Sequence, residues 1–471
     1  MRLHGIEHDP PSARVAQCRM NSDSAFRLLR GFPRLDSDAI IAVLTRGIQG
    51  GVMAAGAAAV IWRMTPVDQG FYFAFISFGI MLQLCDFGLS YATLQSASHM
   101  AATGRASQIA PLGATALRIN VLGTLAAWAI VAILGWSVFS ATGSDVAREV
   151  DSAWRWPWIV FISGVAFNHF TAPSIFLVEG GVSVAAAWRF RMIQEVISGA
   201  ALIIVLALGL GLWALAAYYW TRFAMTAWWM RSANMPRYID AEDRLRDRFS
   251  LAKWHRDVWP FQWRVGVSAI AGYLVFQAFS PIFFALQGPT AAGRFALSLS
   301  VMNALVMVTT AWPISQAAHF GGMLGRRETD ALSARLTQLL FASTAFAVIS
   351  AIAAFAALFA LDRFEPKVAA RFADLGTSGF LIASAIVHHV VACLAVVLRS
   401  ERRDPLLWLS VAGGAVTVAC MTIVAATSTA RGIALAYLVC TALGLPIAYA
   451  IFRKFAQRHG LDAASARRLG A

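Results

Sequence analysis

Residues 187–230 read AWRFRMIQEVISGAALIIVLALGLGLWALAAYYWTRFAMTAWWM, 44 positions whose only charges are Arg189, Arg191, Glu195 and Arg222. A helix crosses the hydrocarbon core of a bilayer in about 20 residues. The run is too long for one crossing and suits two, divided at Gly209-Leu210-Gly211. Runs of the same kind recur on both sides of it from residue 39 to residue 452, with no soluble-looking block between them. Hydrophobic residues make up 58% of the 471-residue chain and charged residues 14%, against about 25% charged in a soluble domain. These numbers exclude a soluble protein and predict an all-α polytopic membrane protein.

Twelve spans are predicted, at 39–62, 70–96, 113–137, 157–178, 187–209, 211–230, 258–286, 293–316, 336–360, 376–398, 405–427 and 431–452. The net charge of +14 then has a topological meaning. Outside the spans, 27 basic residues fall on the side of the N-terminus and 8 on the other. By the positive-inside rule both termini are cytoplasmic. The same arithmetic explains the basic surplus without nucleic acid, which is not an expected partner. Trp154, Trp156 and Trp158 are expected at the outer interface, and Trp228 and Trp229 at the inner one.

Residues 1–37 form a basic tail without the apolar core of about 7–15 residues that a secretory leader needs; Ala25–Arg30 has the pattern of a short amphipathic helix. A second such stretch, with Leu245, Phe249 and Trp254, lies in a cytoplasmic linker at 231–257. The linker divides the chain into an N-terminal lobe (38–230, spans 1–6) and a C-terminal lobe (258–453, spans 7–12), followed by a tail at 454–471. The lobes echo each other: Asp38 and Arg46 open span 1 as Asp257 and Arg264 open span 7, and Gln95 precedes Gly104 as Gln316 precedes Gly325. Six spans per half make the repeat parallel and the lobes pseudo-symmetric. Such repeats occur in transporters, with the substrate path between the halves.

A charge at mid-membrane costs about 2.5–3.5 kcal/mol on insertion scales and usually faces a cavity or a partner. Counting along helices at 1.5 Å per residue, Arg46 and Asp86 lie equally far from the outer turn at Pro66 and are expected level, in the inner-leaflet half. Arg264 has a similar depth, and Arg118 is about one turn into span 3. Together they are read as the lining of an inward-facing vestibule, or else as an Arg46–Asp86 ion pair with a snorkelling Arg118. Glu195 and Arg222 are expected to bridge spans 5 and 6, next to Tyr218, Tyr219 and Trp220, a group fit either for a sugar face or for packing. Gln49, Asn168 and His169 are further polar candidates, and His388 and His389 sit in span 10. Intramembrane histidines either relay protons or are merely hydrogen-bonded. No metal-ligand spacing, ATP-binding loop, HExxH or GxSxG motif is present, and the outer loops are short for an enzyme's active site. No cofactor is called for. The energy sources that fit are a proton or sodium gradient, or the substrate's own gradient.

The stretch Thr65-Pro66-Val67-Asp68-Gln69-Gly70-Phe71-Tyr72-Phe73, its sequel Asp86-Phe87-Gly88-Leu89-Ser90, and Trp259-Pro260-Phe261-Gln262-Trp263-Arg264-Val265-Gly266 resemble the second and seventh spans of Wzx-type O-antigen flippases, in the MATE-like exporter superfamily. The resemblance extends over most of the chain, although the C-terminal third is generic apolar sequence. It implies a non-enzymatic flippase in the bacterial inner membrane. Its substrate would be an undecaprenyl-pyrophosphate-linked oligosaccharide destined for O-antigen, capsule or exopolysaccharide. It would work among membrane lipids and other polysaccharide-assembly proteins. In that picture Arg46, Arg264 and Arg118 hold the diphosphate, and Asp86 holds Arg46 or carries a coupling proton. The rivals are a MATE-type exporter of small molecules, which would want acidic cavity residues, a membrane enzyme of polysaccharide assembly, and a scaffold for such enzymes.

Overall fold

The computed structural model describes residues 37–141, 153–231, 250–316, 320, 323–324, 326–399, 405–427 and 429–461. The amphipathic stretch at 25–30, most of the 231–257 linker and residues 462–471 lie outside the described residues. Among those described there is helix and no strand.

The first half comprises α1 (Ser37–Arg63), α2 (Pro66–Gln83), α3 (Leu89–Ala102), α4 (Ile109–Ala141), α5 (Arg155–Phe170), α6 (Ala172–Gly181), α7 (Val184–Ala207) and α8 (Trp213–Arg231). A short α9 (Leu251–Asp257) follows. The second half comprises α10 (Trp259–Phe276), α11 (Phe279–Gln287), α12 (Pro289–Ser315), α13 (Thr329–Phe364), the single turn α14 (Pro366–Ala369), α15 (Leu375–Leu398), α16 (Leu407–Thr427) and α17 (Ala430–Arg458). Among the described residues ten helices are long and apolar enough to cross a membrane, and the pair α10–α11, bent by 40°, makes an eleventh. The α8 helix occupies the place of the predicted sixth span, but Arg222 and its tyrosines and tryptophans lower its apolar character.

Three predicted spans are broken: span 7 at the α10–α11 bend, and two in the first half. Span 2 runs as α2, a 3₁₀ turn at Leu84–Asp86, and α3. At the break Phe87 and Gly88 have φ of +48° and +78°, a conformation rare for a bulky side chain. Asp86 holds it, its carboxylate accepting from the Gly88 N–H (2.8 Å) and the Ser90 N–H (3.2 Å). Span 4 is divided at Thr171 into α5 and α6.

One apolar core runs through both halves, from Phe75, Phe78, Trp158 and Phe161 to Phe284, Phe295 and Tyr437. Trp154 and Trp158 belong to it, so only Trp156, 72% exposed, keeps the interfacial place expected of all three. One helical turn apart, Trp154 and Trp158 turn inward against Phe139. A second core joins α13, α15 and α17. A third seats Trp254 of α9 against Leu89, Met100 and Leu112, and the Trp254 indole donates to Gln262 Oε1 at 2.9 Å. Ser250 caps α9 by accepting from the Lys253 N–H.

The halves meet along α2 and α12. A Cβ on Gly70 would lie 2.0 Å from the Pro289 carbonyl oxygen, and one on Gly293 2.7 Å from the Gly70 nitrogen, so the two backbones touch where neither residue has a side chain. Phe71 and Phe139 close on Phe284 at centroid distances of 4.8 and 5.2 Å. This seam lies on the side that the basic-residue count assigns to the exterior.

Candidate functional site

Arg46 projects from α1 as an exposed side chain, its guanidinium 6.0 Å from the centre of the Trp188 ring on α7. Trp188 is held in turn: its indole donates to Glu179 Oε1 at 3.1 Å. Arg191 lies 5.1 Å from the same ring and is paired with Glu179 Oε2 at 2.5 Å. Buried Thr45 reaches the Trp188 carbonyl at 3.5 Å, tying α1 to α7 at this level. Gln49, less than a turn beyond Arg46, is half-buried.

Arg264 on α10 and Arg118 on α4 are also exposed; the Arg264 guanidinium lies 5.6 Å over its neighbour Trp263. Among the described residues, no hydrogen bond or ion pair joins Arg46, Arg118, Arg264 and Asp86 to one another. The Arg46–Asp86 ion pair, the alternative to the vestibule reading, is therefore not formed. The depth count that set the two level assumed one straight helix from Pro66 to Asp86, whereas the helix ends at Gln83 and the Asp86 carboxylate turns to the backbone of the break. Among the described residues three guanidiniums are left without an acid. That is the electrostatic condition for taking up an anion, because arginine binds phosphate oxygens through forked hydrogen bonds.

Glu195 and Arg222 form an ion pair at 2.6 Å between α7 and α8. Tyr218 donates to Glu195 Oε1 at 2.8 Å, and buried Gln194 donates to the Arg222 carbonyl and to Thr226 Oγ1. Tyr219 receives a bond from Gln83 and Trp220 donates to the Val160 carbonyl. These rings are engaged in packing rather than offered as a sugar face. His388 is bonded to Tyr437 at 2.7 Å and His389 to Ser343 at 3.2 Å, joining α15 to its neighbours. Asn168 is half-buried and its carbonyl accepts from the Thr171 hydroxyl. His169 is buried beside Asn120, which donates to the His169 carbonyl at 2.7 Å.

Trp188, Glu179 and Arg191 were not among the residues singled out from sequence, where Arg191 counts only as a cytoplasmic charge. Their signal is a spacing of nine and twelve residues across a helical turn, legible once α6 and α7 are known to fold back on each other.

No protein-family profile and no curated protein matches the chain. Solved structures do. An inward-facing multidrug resistance MATE family transporter of the MOP superfamily is similar at a TM-score of 0.65 and 13% identity, over 89% of this chain and 99% of that one. An outward-facing structure of such a transporter gives 0.56 and 14%, over 89% and 95%. The lipid II flippase MurJ, in an inward closed conformation, gives 0.57 and 10%, over 92% of each chain. The shared property is the fold, and the inward-facing MATE structure superposes better than the outward-facing one.

Proposed function

We propose that this protein is a flippase of the bacterial inner membrane, moving an undecaprenyl-pyrophosphate-linked oligosaccharide from the cytoplasmic to the outer leaflet by alternating access of its two lobes. The observation that carries the reading is the set of three exposed guanidiniums, Arg46, Arg118 and Arg264, on α1, α4 and α10, which among the described residues pair with no acid. A diphosphate at the cytoplasmic interface needs such groups at the inner-leaflet layer, and the resemblance of the second and seventh spans points to the same substrate. The likeness to MurJ supports a fold able to handle a lipid-linked cargo.

In this reading Arg46 and Arg264 take the diphosphate, with Arg118 drawing it inward from the cytoplasmic side. The lipid tail stays among bilayer lipids, and the glycan enters the space between the lobes. The outer seam of α2 and α12 is the closed gate of the inward-facing state. No bond is made or broken, so no catalytic residue is required.

An exporter of small cationic molecules is less well supported. Such cargo wants free acids, and Glu195 is committed to Arg222 while Asp86 binds the backbone of its own turn.

The test is complementation of a flippase-deficient strain that makes the cognate glycan, at matched membrane levels. Wild type restores surface glycan; Arg46→Ala with Arg264→Ala abolishes it and lets lipid-linked glycan build up inside. Surface glycan unaffected by the double substitution would remove the arginines from the site. No rescue by well-expressed wild type would turn attention to the exporter.

A further inference from the structure

A polar cavity of about 270 Å³ lies in the second half of the molecule, among the start of α12, the end of α13, the turn α14 and the start of α15. These are the helix ends that the basic-residue count places outside. The cavity is lined by Arg294 from α12, Asp362 from α13, Asp374 and Ser378 at the head of α15, and apolar groups such as Leu358 and Phe372. Its wall is tied together by buried serines. The Ala373 N–H donates to Ser298 Oγ at 3.0 Å, and the Ser298 and Ser378 hydroxyls share a bond at 3.0 Å.

Two of the four polar groups are already engaged. Asp374 accepts from the Thr377 N–H and from Arg431, and Ser378 is held by Ser298. Arg294 and Asp362 are exposed and line the same cavity, yet among the described residues neither forms a hydrogen bond or an ion pair, with the other or with any third group. Opposite charges attract across so small a space, but α12 and α13 hold these two apart. A ligand that satisfies both carries an anion at one end and a hydrogen-bonding cation at the other.

The depth of the cavity fits a lipid headgroup. Asp362 directly follows the apolar run of α13, and Phe359 and Phe364, both exposed, flank it. Exposed aromatic rings at the end of a span mark the headgroup level. Phe355, Phe359 and Asp362 recur at helical spacing, so a chain lying along the apolar face of α13 brings its head to the cavity.

The cavity also adjoins the seam between the halves. Ala370 and Phe372, on either side of Arg371, line it, while the Arg371 side chain crosses to Gln69 on α2. Arg294 lies within electrostatic reach of Arg371, and the two like charges oppose each other.

We propose that this cavity binds a zwitterionic phosphate–ammonium group, the headgroup of a phosphatidylethanolamine-type lipid of the outer leaflet. The phosphate sits on Arg294 through the forked bonds that arginine makes, and the ammonium donates to Asp362. A phosphate there offsets the charge of Arg294 and so strengthens the hold of Arg371 on the seam. The site is separate from Arg46, Arg118 and Arg264 and does not rest on the flippase reading.

The test is thermal unfolding of the full-length protein in detergent with dihexanoyl phosphatidylethanolamine, dihexanoyl phosphatidylglycerol or soluble phosphoethanolamine. A ligand bound to the folded state alone raises the midpoint, here by about 2 °C or more with the first. Phosphatidylglycerol, which lacks the ammonium, is expected to do little. Arg294→Gln and Asp362→Asn should each remove the shift, and both fold normally because neither side chain has a partner to lose. A shift with the lipid alone assigns the site to the bilayer; an equal shift with phosphoethanolamine assigns it to a soluble zwitterion of the same chemistry. Equal shifts with both lipids, a shift that survives both substitutions, or no shift with any probe would overturn the site. In vesicles containing phosphatidylethanolamine, Ser77→Cys in a cysteine-free background should react more slowly with an impermeant maleimide than in phosphatidylglycerol alone, and Asp362→Asn should abolish the difference. Equal rates would overturn the action on the seam. No glycan enters either measurement, so failed complementation with the shift intact would count against the flippase and not against this site.

Discussion

Gln69 and Arg371, 302 positions apart, exchange hydrogen bonds across the two halves of the molecule: the Arg371 Nε donates to Gln69 Oε1 at 2.8 Å, and the Gln69 Nε2 donates to the Arg371 carbonyl at 3.0 Å. Arg371 Nη2 reaches further, to the carbonyls of Val60, in the last turn of α1, and of Thr65, the residue that caps α2, at 3.2 and 3.4 Å, each of which also accepts from a backbone N–H. Gln69 also donates to the Gly293 carbonyl. One arginine thus grips the turn from α1 to α2 in one lobe while its backbone stays in the other.

Opening the molecule outward must break these contacts. Each is worth about 0.5–1.5 kcal/mol net, so Arg371→Ala is expected to move the lobe equilibrium outward by about tenfold or more. Buried Ser77, on α2 and bonded to the Gln277 carbonyl at 2.6 Å, reports on it. In a cysteine-free background, Ser77→Cys should react faster with a membrane-impermeant maleimide from outside when Arg371 is replaced. An unchanged rate would show that the seam holds without it.

The glycine contact is stricter. Gly70→Val sets a branched side chain against the Pro289 carbonyl, where even a Cβ does not fit. The backbones must separate, at a cost of about 1–3 kcal/mol or more. Lower thermal stability together with faster labelling at Ser77→Cys is expected; a variant as stable and as closed as wild type would refute the contact.

Glu195 and Arg222 form a pair that is costly to split. Glu195→Leu or Arg222→Leu alone leaves a charge buried without its partner, at about 3–5 kcal/mol, whereas removing both recovers most of the loss. A double-mutant cycle on melting in detergent measures this, and additive losses would mean that the two groups do not interact.

Trp188 gives Arg46 a surface to rest on, and a cation over an indole gains about 0.5–2 kcal/mol. Trp188→Ala should therefore reduce surface glycan several-fold in the complementation assay, short of the Arg46→Ala loss, with Trp188→Phe in between. Full activity in Trp188→Ala would separate the indole from the arginine's task.

Asp374, ahead of α15, gives a pH dependence outside the membrane spans. Burial alone would raise its carboxyl, but bonds from the Thr377 hydroxyl and N–H and from Arg431 outweigh it and hold the group below its ordinary value. A depressed carboxylate stabilises the fold above its unfolded pKa and loses that contribution as pH falls through the folded one. Asp374→Ala, which removes the helix cap, is expected to cost about 1 kcal/mol at neutral pH and to flatten the acid limb of the stability curve, as read by melting against pH.

The spans were legible because a membrane helix satisfies its backbone within itself, so its signal is local: apolar length, and basic residues at the turns. The division of 187–230 at Leu210 follows from that, and Val184–Ala207 and Trp213–Arg231 are its outcome. Counting from the same turn also brought Glu195 and Arg222 to neighbouring levels, because both helices run unbroken to it. Counting did not foresee that the helix ends at Gln83 and that Phe87 and Gly88 leave the helical region, which turns the Asp86 carboxylate to the backbone of its own turn. The tertiary structure alone decided which polar groups meet. Gln69 and Arg371, Trp188 and Glu179, and the buried faces of Asn120 and His169 each depend on how helices from separate parts of the sequence pack side by side. An apolar run specifies that it enters the membrane, but its depth and length do not specify its rotation or its neighbour, which side-chain packing sets.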